Sequence, residues 1–190
     1  MTFWLLIAGS GLQLLGSLYY FWETLAGRIK PNRVTWLLWS AVPFIAVAAE
    51  LKAGVGWAVL PVFLNGFIPL LVFGASFYNK SAYWRLGIFD YLCGFLSILA
   101  LALWLISGSA AVAIGFSILA DLFAAVPTLI KSWKAPSSES ALAYGGTIAG
   151  GITGIIGSQS FTFIESGFLV YIVIINTVFV ACILRKFGRR

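Results

Sequence analysis

Four polar side chains recur at one depth in an otherwise apolar chain: Gln13, Asn65, Asp121 and Asn176. Gln13 and Asn65 lie ten residues into their apolar runs, Asp121 lies eleven into its run, and Asn176 lies eleven beyond Glu165. At a helical rise of about 1.5 Å per residue each is roughly 15 Å deep. That is the middle of a hydrocarbon core about 30 Å thick. Carboxamides offer donors and acceptors together, which suits reversible contact with a polar solute. The carboxylate poses a harder problem. An Asp at the centre of a membrane helix costs about 2.5–3.5 kcal/mol, and no Lys or Arg lies at its depth in any run. Asp121 is therefore protonated there, or it lines a wet cavity where it binds a proton or a cation.

A stripe extends the pattern. Ser10, Gln13, Ser17, Tyr20 and Thr24 follow at steps of three, four, three and four, on one helical face. In lipid such a face points at protein or at water. Serine and threonine on it also serve as hydrogen-bond glue between helices. Other chemistries are poorly supplied. The chain has no histidine, which removes the usual neutral-pH acid or base and the commonest metal ligand. Its midplane carboxylates are not paired, and Cys93 and Cys182 lie in separate apolar runs without redox or zinc spacing. No catalytic residue, metal or cofactor is expected, and the chain does not read as an enzyme.

The elements that must position these groups are membrane helices. Of the 190 residues 61% are apolar and only 9% are charged, against about 25% charged in a soluble domain. Breaks at charged, Gly/Ser and Pro/Asn clusters predict seven spans, near 3–26, 34–50, 55–78, 86–106, 110–130, 141–157 and 163–184. The second and sixth are short. Pro43 interrupts one, and "GGTIAGGITGIIG" fills the other. The start, "MTFWLLIAGSGLQLLG", lacks the basic region of a signal peptide and reads as mature helix. All but Lys52 of the 12 Lys and Arg fall on one side of this arrangement, so the N-terminus is expected outside and the C-terminus in the cytoplasm. The net charge of +6 is absorbed by that asymmetry and gives no argument for nucleic acid.

Smaller features have structural readings. Trp4, Trp36, Trp57, Trp84 and Trp133 fall near span ends, as an interfacial belt would. Asp90 is expected to pair with Arg85, and Glu23 with Arg28 or Lys30, while Glu50, Glu139 and Glu165 lie at span ends or in a loop and need no site. Gly146, Gly150 and Gly154 form a small-residue ridge for close packing, within the bundle or between protomers of a homo-oligomer.

Two halves of the chain resemble each other. "TLAGRIKPNRVTWLLW" from Thr24 and "TLIKSWKAPSSESALAY" from Thr128 share Thr-Leu, a basic stretch, a proline, a polar pair and a new span. The offset is 104 before the loop and 105 after it. It maps Gln13 onto Ser117, Ser17 onto Asp121 and Thr24 onto Thr128. At an offset of 111, Gly56 falls on Gly167, Trp57 on Phe168 and Asn65 on Asn176. The expectation is an all-α membrane protein of seven transmembrane helices, two parallel triple-helix bundles joined by a linker helix. Residues 1–78 form the first repeat, 79–109 the linker helix and its loops, and 110–190 the second repeat with a basic cytoplasmic tail.

This plan resembles the SWEET and PQ-loop superfamily, which includes the half-size SemiSWEETs. The segments "YFWETLAGRIKPNRVTWLLW" and "LADLFAAVPTLIKSWKAPSSESALAY" are similar to its two PQ-loop regions. The Pro-Gln pair itself stands as Glu23-Thr24 in the first copy and Pro127-Thr128 in the second. The resemblance is to small bacterial members of the group. It implies alternating access by rocking of the two halves, loosening at prolines, and a central pocket that uses Asn65 and Asn176. A sugar pocket of this group would also place a Trp deep in spans two and six, whereas Trp36 and Trp39 lie near the inner end of span two.

The functional expectation is a transporter of a small polar solute in a bacterial inner membrane, with a sugar, an amino acid or a vitamin-like molecule as cargo. Asn65 and Asn176 would contact the solute, with Gln13, Ser17 and Ser117 along the path. Asp121 would couple transport to a proton or cation, and Pro43 and Pro127 would act as hinges. The alternative is a non-transporting receptor or membrane assembly module of the same fold, with the polar "APSSES" loop as its contact surface.

Overall fold

The computed structural model describes residues 2–52, 60–82, 84–106, 110–157 and 161–185. Among them are seven α-helices and no strand: α1 Thr2–Leu25, α2 Arg33–Lys52, α3 Leu60–Tyr78, α4 Ile88–Ile106, α5 Ala110–Lys134, α6 Ala141–Gly157 and α7 Phe163–Leu184. Gly56 and Trp57, used in aligning the two halves, lie outside the described residues.

Local chemistry sets the helix ends. Past Leu25 the chain turns at Gly27, whose φ of 74° is a left-handed conformation suited to glycine. The Gly27 N–H returns to the Thr24 carbonyl at 3.0 Å, and the Arg28 N–H to the Glu23 carbonyl at 3.0 Å. Asn32 then caps α2, its Oδ1 accepting from the N–H groups of Val34 and Thr35 at 3.1 and 3.3 Å. In the same place before α6, Ser140 Oγ accepts from the Ala143 N–H at 3.5 Å. The second helix is not short: α2 has 20 residues and continues through Pro43. Likewise α3 continues through Pro69 and α5 through Pro127. A proline removes one backbone donor, and in these helices it does not end the segment.

Helix pairing follows one pattern twice. α1 packs on α3, α2 on α3, and α1 on α6; correspondingly α5 packs on α7, α6 on α7, and α5 on α2. α4 lies against α5, where Ser97 Oγ donates to the Ala120 carbonyl at 2.6 Å. The α1–α2, α3–α4 and α5–α6 connections gather at one end of the bundle, here the basic end. There Asn79 Nδ2 donates to the Leu25 carbonyl at 2.9 Å, and the Lys30 N–H to the Ser138 carbonyl at 3.2 Å.

Burial is unequal along the bundle. One core cluster joins Tyr20, Ile29, Trp36, Val72 and Ala143, and a second joins Ala125, Tyr144, Ile175, Phe179 and Ile183. Both lie toward the basic end, so that half is solid. The exterior carries large apolar side chains, as on α4, where Phe89, Leu92, Phe95 and Ile98 are exposed. The interior holds Thr24, Asn32, Thr35, Ser76, Ser97, Thr128 and Ser132, all fully or almost fully buried. Among the described residues, Ile114–Lys134 and Ser166–Leu184 are long and apolar enough to cross a membrane by length and composition. Phe63–Tyr78, Ile88–Leu103 and Ala141–Gly157 are shorter apolar helices.

The glycine ridge of α6 faces neighbours within the bundle. A Cβ on Gly146 would stand 2.6 Å from the Leu12 carbonyl oxygen, and one on Gly16 would stand 2.7 Å from that of Leu142. So α1 and α6 meet backbone to backbone. Gly154 faces Leu169 of α7 instead. A Cβ on Gly145 would meet nothing within 4 Å. Gly146→Leu should therefore force α1 from α6 and cost about 1–3 kcal/mol, while Gly145→Ala is neutral or slightly stabilising through helix propensity. Thermal unfolding in detergent checks this; equal losses in both variants would contradict the packing account.

Candidate functional site

The stripe on α1 divides at Tyr20. Ser10, Gln13 and Ser17 line a cavity of about 490 Å³, while Tyr20 and Thr24, further toward the basic end, are completely buried. The cavity is bounded by α1, α2, α3, α5, α6 and α7. α2 brings Trp36, Trp39, Val42 and Pro43, and α3 brings Asn65 and Pro69. From α5 come Ile114, Ser117 and Asp121. α6 contributes Tyr144, Thr147 and the glycine face, and α7 contributes Phe168, Leu169, Ile172 and Asn176. The volume is that of a small-molecule pocket, for which about 300–1,000 Å³ is usual.

Seven of the eight site residues singled out in the sequence thus share one cavity: Gln13, Ser17, Asn65, Ser117, Asp121, Asn176 and Pro43. Pro127 does not line it and is buried further down α5. The pairs related by an offset of 104 keep corresponding places, with Gln13, Ser117, Ser17 and Asp121 at the cavity and Thr24 and Thr128 buried beneath it. Several of these groups are held by bonds. Gln13 Nε2 donates to Asn65 Oδ1 across the α1–α3 boundary. Asn176 Nδ2 donates to the Ile172 carbonyl at 2.8 Å, one turn back on α7. Tyr171 Oη donates to Asp121 Oδ2 at 2.7 Å. No Lys or Arg is among the described lining residues, and Asp121 is the one charged side chain there.

Beneath the cavity is an aromatic floor. Trp36 packs on Tyr20 with ring centres 4.5 Å apart and on Trp39 at 5.4 Å, and Tyr144 stacks on Phe179 at 4.4 Å. Under it lies a buried ionic cluster. Lys131 of α5 pairs with Glu139 of the α5–α6 loop, both side chains fully enclosed. Lys131 Nζ also donates to the Lys30 carbonyl and lies 5.3 Å from the Trp84 ring centre. Tyr20 and Tyr144 donate their hydroxyls to Glu139 Oε2 at 2.9 and 2.8 Å. Beside it, Thr35 Oγ1 donates to the Ala124 carbonyl at 2.6 Å, and Thr128 Oγ1 to Thr35 Oγ1 at 2.9 Å. The first half supplies Tyr20, Lys30 and Thr35, and the second supplies Lys131, Glu139, Tyr144 and Thr128. Together they close the cavity at the basic end.

Several expectations need correction. Glu139 is not an idle loop residue but the anion of this cluster. The "APSSES" loop is only partly a surface: Ser137 is exposed, whereas Ser138, Glu139 and Ser140 are all buried. It folds inward because Glu139 finds a cation and two hydroxyls there. Trp36 is only 5% exposed and belongs to the floor, not to an interfacial belt. Together with Trp39 it reaches the cavity, although the run length places both near the span end. Asp90 does not take Arg85 as its partner: its carboxylate accepts from Asn32 Nδ2 and from the Gly87 N–H, both at 2.6 Å. The Glu23–Arg28 pair does form, at 2.5 Å. Tyr171 is a site residue that depth alone does not reveal: it lies six residues beyond Glu165, about 9 Å deep, and meets Asp121 through the fold. For Glu139 the only signal was its being the sole carboxylate in a basic loop.

Among the described residues no group of three or more His, Cys, Asp or Glu gathers that could hold a metal ion, and Cys93 and Cys182 are separate thiols. The chemistry on offer is binding: amides, hydroxyls, one carboxylate and indole faces around a solute-sized space. Its closure depends on the ionic cluster, which makes a prediction. Glu139→Ala strands a buried ammonium and should cost about 3–5 kcal/mol. Adding Lys131→Met in the same chain should recover much of that loss. Unfolding of the single and double variants in detergent measures both; additive losses would contradict the pairing. Compared with protein-family models, curated proteins and solved structures, the chain gives no match.

Proposed function

We propose that this chain is a multi-pass membrane transporter that moves a small polar solute by alternating access. The observation that carries the reading is a cavity of about 490 Å³ inside the helix bundle, mostly apolar in its wall with amides, hydroxyls and one carboxylate set into it, and closed at the basic end by contacts between the two halves of the chain. Burial runs in the sense expected for a protein in lipid. Large apolar side chains face outward, and hydroxyls, amides and an ion pair lie inside. On this reading all seven helices span the membrane, the N-terminus is outside, and the basic connections are cytoplasmic. The twofold pairing pattern supports two triple-helix repeats with α4 as their linker. It agrees with the resemblance to SWEET and PQ-loop proteins.

Transport would follow from the inequality between the two ends. With the cytoplasmic end closed, solute reaches Asn65, Asn176 and Gln13 from outside. Rocking of the halves would part Tyr20 and Lys30 from Glu139 and Lys131 and open the other end, with Pro43 and Pro127 as hinges. Asp121 would link this motion to a proton or cation. The alternative, a receptor or assembly module, would have a smaller contact surface than expected, because three of the six residues of the "APSSES" loop are buried.

Reconstitution into liposomes tests the proposal with a panel of labelled sugars, amino acids and vitamins. At least one solute should enter faster than into empty liposomes, and a pH gradient should change that rate. Asp121→Ala should abolish the gradient effect, and Asn176→Ala should slow uptake by about tenfold or more. Uptake unchanged in both variants would sink the site assignment. No flux of any solute, with a tightly co-purifying protein, would favour the receptor or assembly reading.

A further inference from the structure

We propose that the cavity selects a small organic cation, with Asp121 facing its charge and Trp36 and Trp39 its body. This names the substrate class of the transport site and rests on that reading. Charge comes first. Asp121 is the one charged side chain among the described lining residues, and the hydroxyl that donates to it, that of Tyr171, is neutral. A neutral solute would leave this carboxylate without a counter-charge, and an anion would be repelled.

The amides permit it: Gln13 and Asn176 each commit one N–H within the protein, to Asn65 Oδ1 and to the Ile172 carbonyl, and their oxygens accept in neither of these bonds. The aromatic wall supplies the rest. Thr35 of α2 bonds the Ala124 carbonyl of α5, which fixes the register of these two antiparallel helices. One turn away from the basic end, α2 presents Trp39 and α5 presents Asp121, so an indole and the carboxylate share one level of the cavity. Cations bind well over indole faces, most strongly where water is excluded. Trp36 and Trp39 both line the cavity, while their Nε1–H groups are enclosed by protein, so the rings are what they present to a solute.

Calorimetry on the purified protein in detergent tests this with matched pairs. Choline is set against its neutral isostere, in which a tert-butyl group replaces the trimethylammonium, and benzylamine against benzyl alcohol. In at least one pair the cation should bind about tenfold or more tightly than its neutral partner. That comparison uses the unaltered chain, so no folding defect can imitate it. Asp121→Asn should erase the difference, Asp121→Glu should keep it, and Trp39→Ala should weaken both members. Equal binding within both pairs overturns the inference, as does failure of both cations to bind at up to about 10 mM. A neutral sugar that crosses proteoliposomes uninhibited by these cations overturns the cation class and leaves transport standing. Cations that bind tightly yet never cross support the site and overturn the transport reading.

Discussion

The Lys131–Glu139 pair is the contact on which the rest of the arrangement depends. Two full charges enclosed by protein are costly to remove from water, and attraction offsets that cost only if every remaining donor and acceptor is also satisfied. The chain supplies partners from both of its halves: the hydroxyls of Tyr20 and Tyr144 for Glu139, and the Lys30 carbonyl for Lys131. Those demands fix where the α1–α2 and α5–α6 connections lie. They pull the α5–α6 loop inward and hold one end of the bundle shut. A pair of this kind is weak evidence for stability, because an apolar replacement can do as well. What it does specify is this closed arrangement, in which both charges have partners.

Above that closed end the helices separate enough to leave a cavity, and two features keep its wall in place. α1 and α6 touch backbone to backbone through Gly16 and Gly146, so that side of the bundle cannot collapse further. On the other side Thr35 and Thr128 tie α2 to α5. The two contacts occupy corresponding positions in the repeated pairing pattern, yet one uses glycine and the other hydroxyls. The halves are therefore similar in layout and different in chemistry, and the difference is largest at the cavity, where Ser17 stands opposite Asp121 in the repeat. A carboxylate on one side only gives the cavity a polarity that neither repeat alone would have.

Much of this was legible in the sequence, and the parts that were share a physical origin. Gln13, Asn65, Asp121 and Asn176 could be placed together because helical rise converts position into depth without knowledge of the fold. The stripe from Ser10 to Thr24 was readable because a helix returns to one face every three or four residues. The match of Thr24 with Thr128 followed from comparing the halves. What was hidden depends on who meets whom. Glu139 looks like an ordinary loop carboxylate until Tyr20, 119 residues away, is brought against it. Asp90 has Arg85 nearby in sequence, but Asn32 reaches it through the fold. Trp36 sits where a span begins, and run length alone assigns it to an interface; its burial comes from Tyr20 and Trp39 packing over it.

The central claim is that the cavity is reachable from one face of the membrane and closed from the other by the Lys131–Glu139 cluster. It is tested most directly by placing a single reactive thiol in the cavity, Ser117→Cys, in a chain whose Cys93 and Cys182 are changed to alanine. A membrane-impermeant maleimide is then added to sealed vesicles of each orientation. The account predicts rapid labelling from the face bearing the α1 N-terminus and little from the face bearing the α5–α6 loop. Equal labelling from both faces, or faster labelling from the loop face, would contradict it.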